Sequence, residues 1–408
     1  MERHFQALDD YLRQHQVYWR FEPFLASSAS SLPWQAIHPD LCHWLNALSE
    51  EEIEQYKSDT DALLAAMTPH FPVLGSIKAL TDLSPYSLPT ASHLSTDVES
   101  VSLPRGLDKG IPGRKLRQIT LMGSAALAHH KGDEWLEWCS GKGYLGRILA
   151  SHSQQNVTSF EYQAALCLSG QAEADQMGLT MTFVQGDALS NESQSVLKPN
   201  QHAVALHACG DLHVSLMHKS IAAKLPAVTL SPCCYHLIED ETYQALSAQG
   251  KASSLGLTQQ ELRIPLQETV TGGERVKRHR QLEMRYRLGL DCLFRQALGY
   301  RHYEPIPSVK KSQLSEGFES FCHWACQQKG IELPSVDFAD YEQQGMRRYW
   351  QMERLSLCQQ VFRRVLELWL VMDKALYLEQ NGYRVYVGEF CSRETTPRNI
   401  LIHAERQS

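Results

Sequence analysis

Histidine, cysteine and aspartate side chains recur in two short segments near the middle of the chain. They are His207, Cys209 and Asp211 in the first segment, and Cys233, Cys234 and His236 in the second. Histidine titrates near neutral pH and can take a proton from a hydroxyl or an amine. A cysteine thiolate can attack an electrophile, and cysteine together with histidine can bind zinc. These residue types therefore allow general-base catalysis, nucleophilic catalysis or metal binding.

The residues alone leave these three chemistries open. For general-base catalysis, the base can be His207, His236 or Asp211. For nucleophilic catalysis, Pro232-Cys233 resembles the Pro-Cys element of cytosine C5-methyltransferases, whose cysteine is a nucleophile. For zinc, we expect at most one of Cys233 and Cys234 to bind a given ion, because adjacent side chains at a strand end point to opposite sides. We therefore assign no metal ligand. A cysteine at a strand end is also commonly a small buried apolar side chain.

A glycine-rich segment, Gly141-Lys142-Gly143-Tyr144-Leu145-Gly146, matches the pattern G-x-G-x-x-G. It follows the apolar run WLEWC, which predicts a strand, and it opens a predicted helix. Glycine in such a turn lets the backbone approach a ligand without a Cβ atom in the way. Glu161 ends the next predicted strand, where a carboxylate can accept hydrogen bonds from two ribose hydroxyls. Together these features predict a nucleotide-like cofactor.

The cofactor is either a nicotinamide dinucleotide or S-adenosylmethionine, and three features favour the second. Glu137 ends the first predicted strand, where an acid can reach the ammonium of S-adenosylmethionine but would repel a pyrophosphate. Asp187 ends a third predicted strand and can accept a hydrogen bond from an adenine amino group. The last two apolar runs, YRVYVGEFC and NILIHAE, resemble the antiparallel hairpin that completes the seven-stranded sheet of class I methyltransferases.

Short apolar runs alternate with helical segments in the middle of the chain, which predicts an α/β fold with a parallel sheet. The fourth and fifth runs, HAVALHACG and AVTLSPCC, would bring the two reactive segments together, because neighbouring parallel strands end at one edge of the sheet. We predict a helical N-terminal region at 1–110 and a core at 111–240 and 365–408. Between the two parts of the core we predict a helical insertion at 241–364, after the fifth strand, that selects the substrate.

Three segments, LEWCSGKGYLGR, HAVALHACGDLH and LSPCCYH, resemble a family of class I S-adenosylmethionine-dependent methyltransferases. This family includes the glutathione S-transferase C-terminal-domain-containing protein and, more distantly, tRNA 2'-O-methyltransferases. The resemblance implies a Rossmann-like seven-stranded sheet, S-adenosylmethionine as the methyl donor and RNA as the substrate. It assigns the cofactor site to Glu137, Cys139, Gly141, Gly143, Glu161 and Asp187. Cys139 departs from the pattern of this fold, which has a glycine at that position.

The chain has a net charge of −7, yet its basic residues are clustered. Arg105–Arg117 contains five basic residues and one acidic residue, and Arg275–Arg287 contains six and one. Clustered positive charge suits contact with nucleic acid, although a charge run is also commonly a solvated helix face. We predict that the phosphates of an RNA substrate are contacted by Arg275, Lys277, Arg278 and Arg280.

The composition is that of a globular protein, with 43% hydrophobic and 21% charged residues, which excludes collagen-like and wholly disordered chains. No apolar run reaches the length of about 18 residues that spans a membrane, and the charged N-terminus lacks the apolar core of a secretory signal. We therefore expect a cytoplasmic protein without a membrane partner. Scattered cysteines without a C-x-x-C pair predict reduced thiols.

These features together predict a methyltransferase that uses S-adenosylmethionine to modify an oxygen or a nitrogen of tRNA or rRNA. The acceptor would be surrounded by His207, Asp211, Cys233, Cys234 and His236. Two alternatives stay open at this point. One is a cytosine C5-methyltransferase with a cysteine nucleophile, and the other is a non-catalytic interaction protein that binds an adenosine ligand or a metal.

Overall fold

The structure is a computed structural model that describes residues 1–29, 31–88, 103–104, 106–267 and 274–407, apart from the side chains of Arg114 and Glu274. Arg105, which belongs to a basic cluster of the sequence, lies outside the described residues. None of the described helices combines the length and apolarity that crossing a membrane requires. In chain order, the helices are α1 (Glu2–Gln14), α2 (Pro23–Ala26), α3 (Pro39–Ala47), α4 (Glu50–Ser58), α5 (Thr60–Met67), α6 (Ile77–Leu80), α7 (Gly113–Ala128), α8 (Tyr144–Ser153), α9 (Ala164–Gln176), α10 (Asp211–Ala222), α11 (Ala248–Ala252), α12 (Glu274–Ala297), α13 (Lys311–Leu314), α14 (Phe318–Lys329), α15 (Phe338–Gln360) and α16 (Arg363–Gln380).

Seven strands of the described residues form one sheet, whose order is β3-β2-β1-β4-β5-β7-β6. The first five strands are parallel, and β7 pairs antiparallel with both β5 and β6. The predicted parallel sheet with a terminal antiparallel hairpin is therefore confirmed. The strands are β1 (Glu134–Trp138), β2 (Asn156–Glu161), β3 (Met181–Gln185), β4 (Gln201–Ala205), β5 (Ala227–Leu230), β6 (Tyr383–Glu389) and β7 (Ile400–Arg406).

The central strands are buried along their whole length. Every residue of β4 and of β5 is buried, as is typical of parallel strands with both faces covered. One core cluster packs Met122 of α7 and Leu149 of α8 against Trp135, Val157 and Val204 of β1, β2 and β4. This packing holds the carboxyl ends of neighbouring strands in fixed positions, and functional side chains follow those ends.

The chain forms two compact units, and unit 1 contains the sheet. It consists of Met1–Gln14, Lys78–Glu268 and Arg364–Ser408. The segment that follows β5 is anchored to α16 by the buried carboxylate of Asp373. This carboxylate accepts hydrogen bonds from the Tyr243 hydroxyl over 2.8 Å, the Leu246 amide over 2.9 Å, and the amide and hydroxyl of Ser247 over 2.9 and 2.6 Å. These four hydrogen bonds satisfy the carboxylate, whose burial without partners would cost free energy.

Unit 2 is helical and consists of His15–Ile77 and Thr269–Arg363. Its helices α12 and α15 approach very closely, since a Cβ atom added to Gly345 would lie 2.7 Å from the backbone nitrogen of Gly289. Asp291 of α12 and Arg348 of α15 form an ion pair over 2.6 Å. The sequence predicted two helical regions, at 1–110 and 241–364. Each of them contributes residues to unit 1 as well as to unit 2.

Candidate functional site

The turn between β1 and α8 has a left-handed backbone at three positions. The φ angle is 54° at Cys139, 58° at Gly141 and 72° at Gly143. Glycine adopts such angles without strain, whereas a residue with a Cβ atom costs roughly 1–2 kcal/mol. The cysteine therefore keeps the local backbone shape that a glycine would give, at a modest cost in stability.

The glycines of this turn have different surroundings. A Cβ atom added to Gly143 would lie 2.5 Å from the ring of Phe183, and one added to Gly146 would lie 2.5 Å from the carboxylate of Glu137. One added to Gly141 would meet no described atom within 4 Å. Gly143 and Gly146 thus permit close packing around α8, whereas Gly141 borders open space in which a ligand can lie.

Glu161, at the end of β2, is held beside the turn by two backbone amides. Its Oε2 accepts a hydrogen bond from the amide of Gly141, and its Oε1 accepts one from the amide of Gln163, both over 2.9 Å. A carboxylate oxygen can accept two hydrogen bonds, so each oxygen can take one more. The structure therefore places an oriented pair of acceptors next to the open side of the turn.

Glu137 lies beneath the first turn of α8 and is 4% exposed. Its Oε2 accepts a hydrogen bond from the hydroxyl of Ser159 over 2.9 Å, because the two residues are paired across β1 and β2. Burial raises the pKa of Glu137 to about 7, although Ser159 and the amides of Gly146 and Leu145 favour the ionised form. Its carboxylate thus contacts the start of α8 rather than the open space beside Gly141.

Asp187 follows β3 and is exposed, and its Oδ1 accepts a hydrogen bond from the amide of Leu189 over 2.9 Å. Since β1, β2 and β3 are neighbours in the sheet, the predicted cofactor residues lie along one edge. Cys139, Gly141 and Glu161 lie close together there. Burial raises the pKa of the Cys139 thiol, and the nearby negative charges of Glu161 and Asp187 raise it further.

Three cysteines converge where β4 and β5 end. Cys209 and Cys233 form an isolated parallel bridge, and their Sγ atoms are 3.4 Å apart. Cys234 has a left-handed φ of 47°. The Sγ atoms of all three residues lie within 4.8 Å of one another. The expectation that adjacent cysteines point to opposite sides is therefore wrong, because the left-handed residue ends the alternation of the strand.

The three sulfur atoms share hydrogen bonds. Interaction with the thiols of Cys209 and Cys233 lowers the pKa of the Cys234 thiol. The pKa of Cys233 is raised because its thiol is hydrogen-bonded to the sulfur atoms of Cys209 and Cys234, and because it is buried. The cluster therefore favours the ionised form of one of its thiols. Such a group can act as a nucleophile or as a metal ligand.

Two imidazoles flank the cysteines. His207 is an exposed residue, yet burial of its imidazole by the surrounding protein, with a contribution from the charge of Lys115, lowers its pKa to about 4. His236 is half-buried, and its Nδ1 has no hydrogen-bond partner among the described residues. Burial and the charge of Arg263 lower the pKa of His236. Both rings are therefore neutral near pH 7, and a neutral imidazole can accept a proton or bind a metal.

Asp211 connects the loops that follow β4 and β5. Its amide donates to the carbonyl of Leu237 over 3.0 Å, and its Oδ2 accepts from the amide of Glu239 over 2.8 Å. A Cβ atom added to the preceding Gly210 would lie 1.9 Å from the Leu237 carbonyl oxygen. The geometry thus supports a positioning role for Asp211 rather than the predicted role as a base.

Two residues of this region were not predicted from the sequence, His213 and Arg263. His213 is buried on α10, where its Nδ1 bonds to the carbonyl of Ala208 over 3.0 Å and its Nε2 has no partner among the described residues. The sequence feature that could have identified His213 is its place at the end of the segment HACGDLH, which contains predicted site residues. Arg263 lies far along the chain from both reactive segments, so only the tertiary structure could place it beside His236.

Basic side chains surround this edge of the sheet. The charges of Lys115, Arg263 and Arg398 lower the pKa values of His207, His236 and Cys234, respectively. We call these three cations the basic rim. By contrast, the predicted phosphate contacts Arg275, Lys277, Arg278 and Arg280 are exposed on α12, in unit 2.

Comparison with known families agrees with this geometry. Residues 114–241, which include β1 to β5 and the segments at their carboxyl ends, match the family described as a methyltransferase domain. The sheet order, with an antiparallel β7 between β5 and β6, is the one expected for that domain. The chain has the class I methyltransferase fold. The narrower resemblance to the glutathione S-transferase C-terminal-domain-containing family stays a prediction.

Solved structures of methyltransferases align with part of the chain at low similarity. One is the tRNA (uracil-54, C5)-methyltransferase of Pyrococcus abyssi in complex with S-adenosyl-L-homocysteine, with 18% identity over 29% of this chain, 28% of that protein's length and a TM-score of 0.24. Another is an rRNA methylase from Streptococcus thermophilus, with 13% identity over 28% of this chain, 68% of that protein and a TM-score of 0.21. No curated protein matches the chain.

Proposed function

We propose that this chain is an S-adenosylmethionine-dependent methyltransferase that modifies an oxygen or a nitrogen of RNA. The observation that carries the proposal is the left-handed turn at Gly141, with the carboxylate of Glu161 held beside it at the carboxyl edge of a methyltransferase-type sheet. Ligands of open α/β sheets bind in this position. The match to the methyltransferase-domain family over residues 114–241 is an independent support.

The donor would lie across the ends of β1, β2 and β3. Each Glu161 oxygen keeps one acceptor position for a ribose hydroxyl, and Asp187 is exposed where it can accept from an adenine amino group. Cys139, Gly141 and Gly143 would border the donor through their backbone. Glu137 would act indirectly, because its carboxylate fixes the start of α8 beneath the turn.

The acceptor would lie beyond β4 and β5, where the reactive side chains and the basic rim are found. In the proposed reaction, an acceptor oxygen or nitrogen attacks the donor methyl group, the bond from sulfur to that carbon breaks, and the acceptor proton passes to His207. His207 is an exposed residue, so a substrate can reach it. Orientation of the two reactants supplies much of the rate in such a transfer.

RNA is favoured over an uncharged substrate by the distribution of cations. Lys115 and Arg263 are exposed at the candidate acceptor site, and four further basic residues are exposed on α12: Arg275, Lys277, Arg278 and Arg280. Phosphates that displace counterions from such groups give binding that weakens steeply with salt. A methyl acceptor within an RNA chain would therefore be held by contacts that do not depend on its base.

Donor binding is tested by calorimetry with S-adenosylhomocysteine and with NAD. We expect the Glu161→Gln variant to bind S-adenosylhomocysteine at least about 30-fold more weakly, or ~2 kcal/mol, because ribose hydroxyls lose a charged acceptor. The matched control is Glu192→Gln, which changes an exposed carboxylate of the same unit away from the turn. Binding of NAD without binding of S-adenosylhomocysteine would overturn the proposal.

The substrate is tested by transfer of a labelled methyl group from S-adenosylmethionine into RNA, protein and small-molecule fractions of a cell extract. We expect label in small RNA, and ribonuclease treatment before the reaction should abolish it. Label in the protein fraction alone would leave the methyltransferase activity intact but contradict the RNA substrate. Donor binding without incorporation into any fraction would support a non-catalytic role.

A further inference from the structure

The convergence of Cys209, Cys233 and Cys234 is produced by the backbone. The bridge between Cys209 and Cys233 extends the β4–β5 ladder, and the amide of Gly210 donates to the carbonyl of Cys233 over 3.1 Å. The β4 side carries one more residue than the β5 side between the Ala205–Leu230 pair and this bridge. This offset places Cys209 opposite Cys233. The left-handed backbone at Cys234 then directs its Sγ atom towards the Sγ atoms of the other two cysteines.

Adjacent loops hold the arrangement in place. The amide of Asp211 bonds to the carbonyl of Leu237, and the amide of Leu237 bonds to the carbonyl of Cys234 over 2.9 Å. Gly210 packs against the Leu237 carbonyl so closely that no other residue fits there. Three sulfur atoms are therefore prearranged by main-chain contacts, which lowers the entropic cost of binding a ligand to them.

The spacing of the sulfur atoms matches a metal site. Zinc binds thiolate sulfur at about 2.3 Å in tetrahedral geometry, which puts two bound sulfur atoms roughly 3.8 Å apart. In the cluster, one pair is 3.4 Å apart and all pairs are within 4.8 Å. Small shifts of the side chains would equalise these distances around one ion.

Burial of apolar cysteines does not account for the cluster. Cys209 and Cys234 are only partly buried, so an ion can reach them from solvent. All cysteines of the chain are free thiols, and a disulfide within the cluster would leave the third sulfur unpaired. Nδ1 of His236 has no hydrogen-bond partner among the described residues, but it lies outside the group of ligand atoms that are within 4.8 Å of one another, so His236 would become a fourth ligand only after its ring moves.

We propose that Cys209, Cys233 and Cys234 bind one Zn²⁺ ion as thiolates. Each thiol that is protonated before binding releases its proton to solvent as its sulfur forms a bond to zinc, and no oxidant or reductant takes part. The site lies at the ends of β4 and β5. Three protein thiolates with a fourth position filled by imidazole or solvent are within the range of known zinc sites.

The proposal is tested on the full-length chain after reduction and removal of metal by a chelator. Titration with Co²⁺ should give one equivalent of the visible and near-ultraviolet bands of tetrahedral thiolate-bound cobalt, and Zn²⁺ should displace them. Zinc affinity is then measured by competition with a chromophoric chelator. These readouts need neither methyl donor nor RNA, so they fail or succeed independently of the methyltransferase proposal.

Single variants identify the ligands. Cys209→Ser, Cys233→Ser and Cys234→Ser should each weaken zinc binding about 100-fold or more, which corresponds to ~2.7 kcal/mol. The matched control is Cys391→Ser, a partly buried cysteine of the same unit that is not in the cluster, and it should bind zinc as the unchanged chain does. Circular dichroism verifies that every variant is folded.

Three results would overturn the proposal. The first is the absence of thiolate-to-cobalt bands in the reduced, folded chain. The second is the same zinc affinity in the three variants and the control. The third is a chain that, when isolated without reductant, contains a disulfide between Cys209 and Cys233 and recovers no metal binding on reduction.

Discussion

Two regions of the same sheet edge are built in different ways. At the ends of β1 and β2, the backbone defines the site, since left-handed residues form the turn and amides orient the carboxylate of Glu161. At the ends of β4 and β5, the backbone instead brings reactive side chains together, namely a thiol cluster, two imidazoles and a basic rim. The first region is suited to a cofactor of fixed shape, whereas the second offers reactive groups whose use depends on what binds there.

The largest expected effect contrasts two glycines with nearly the same φ angle, 56° at Gly210 and 58° at Gly141. Gly210→Ala should destabilise the protein by about 3–5 kcal/mol, because a φ of 56° with a ψ of −126° strains any residue that has a Cβ atom and because that atom would overlap the Leu237 carbonyl. Gly141→Ala is the matched control and should cost only about 1–2 kcal/mol, since its new Cβ meets nothing. Urea unfolding followed by tryptophan fluorescence measures both. Equal losses would show that the contact with Leu237 is not rigid.

The second prediction concerns pH and the buried carboxyl group of Glu137. Its pKa is about 7 in the folded protein, above the ordinary value of 4.5, so the folded state holds its proton more tightly than the unfolded chain does. The stability that this proton contributes is complete below pH 4.5 and is lost as the pH rises through 7. The loss is on the order of 3 kcal/mol.

The Glu137→Gln variant carries no such ionisation. Compared with the unchanged chain, it should therefore gain relative stability between pH 5 and pH 8, as measured by urea titrations at each pH. Glu192→Gln, at an exposed position, controls for general effects of losing a charge. Parallel pH profiles of the Glu137→Gln variant and the unchanged chain would show that Glu137 is ionised in the folded state at all these pH values.

A smaller effect is expected for the basic rim. If Arg263 contacts a phosphate, Arg263→Ala should weaken RNA binding about tenfold and reduce the slope of log affinity against log salt by about 1. Lys251→Ala removes an exposed cation of the same unit at α11 and should leave the slope unchanged. Filter binding at several salt concentrations measures both. A slope that Arg263→Ala does not alter would place the RNA elsewhere, and α12 would then be the surface to test.

The smallest effect is expected for Cys139→Gly in the turn. Glycine removes the strain of a left-handed cysteine but makes the unfolded chain more flexible, so the net gain in stability should be below about 1 kcal/mol. Binding of S-adenosylhomocysteine should stay within about threefold of the unchanged chain, because the backbone shape is kept. A large loss of binding would mean that the Cys139 side chain itself contacts the donor.

Several structural features could be predicted from local patterns. Each of the seven apolar runs forms a strand. The runs of β4 and β5 are wholly buried, as expected of parallel strands with both faces covered, whereas β6 alternates as expected of an antiparallel strand. The spacing from Gly141 to Glu161 placed the two residues together at the ends of adjacent strands, where they are hydrogen-bonded. The meeting of the segments after β4 and β5 also followed from topology, since neighbouring parallel strands end at the same edge.

Other features depended on angles and contacts that a residue pattern does not specify. The left-handed backbone at Cys234 gathered three sulfur atoms where strand alternation predicted divergence. Asp211 proved to join two loops, because the amide of Glu239 lies within reach of its carboxylate. Arg263 reached the site from a distant part of the chain.

The amino-acid sequence by itself determined the elements of the sheet, their order along the chain and the glycine turn, because burial periodicity and the conformational freedom of glycine act over a few residues. Only the tertiary structure decided which reactive atoms come within bonding distance. That outcome depends on ångström-scale offsets between strands and on single backbone angles, such as those at Gly210 and Cys234, which arise from packing of the whole unit.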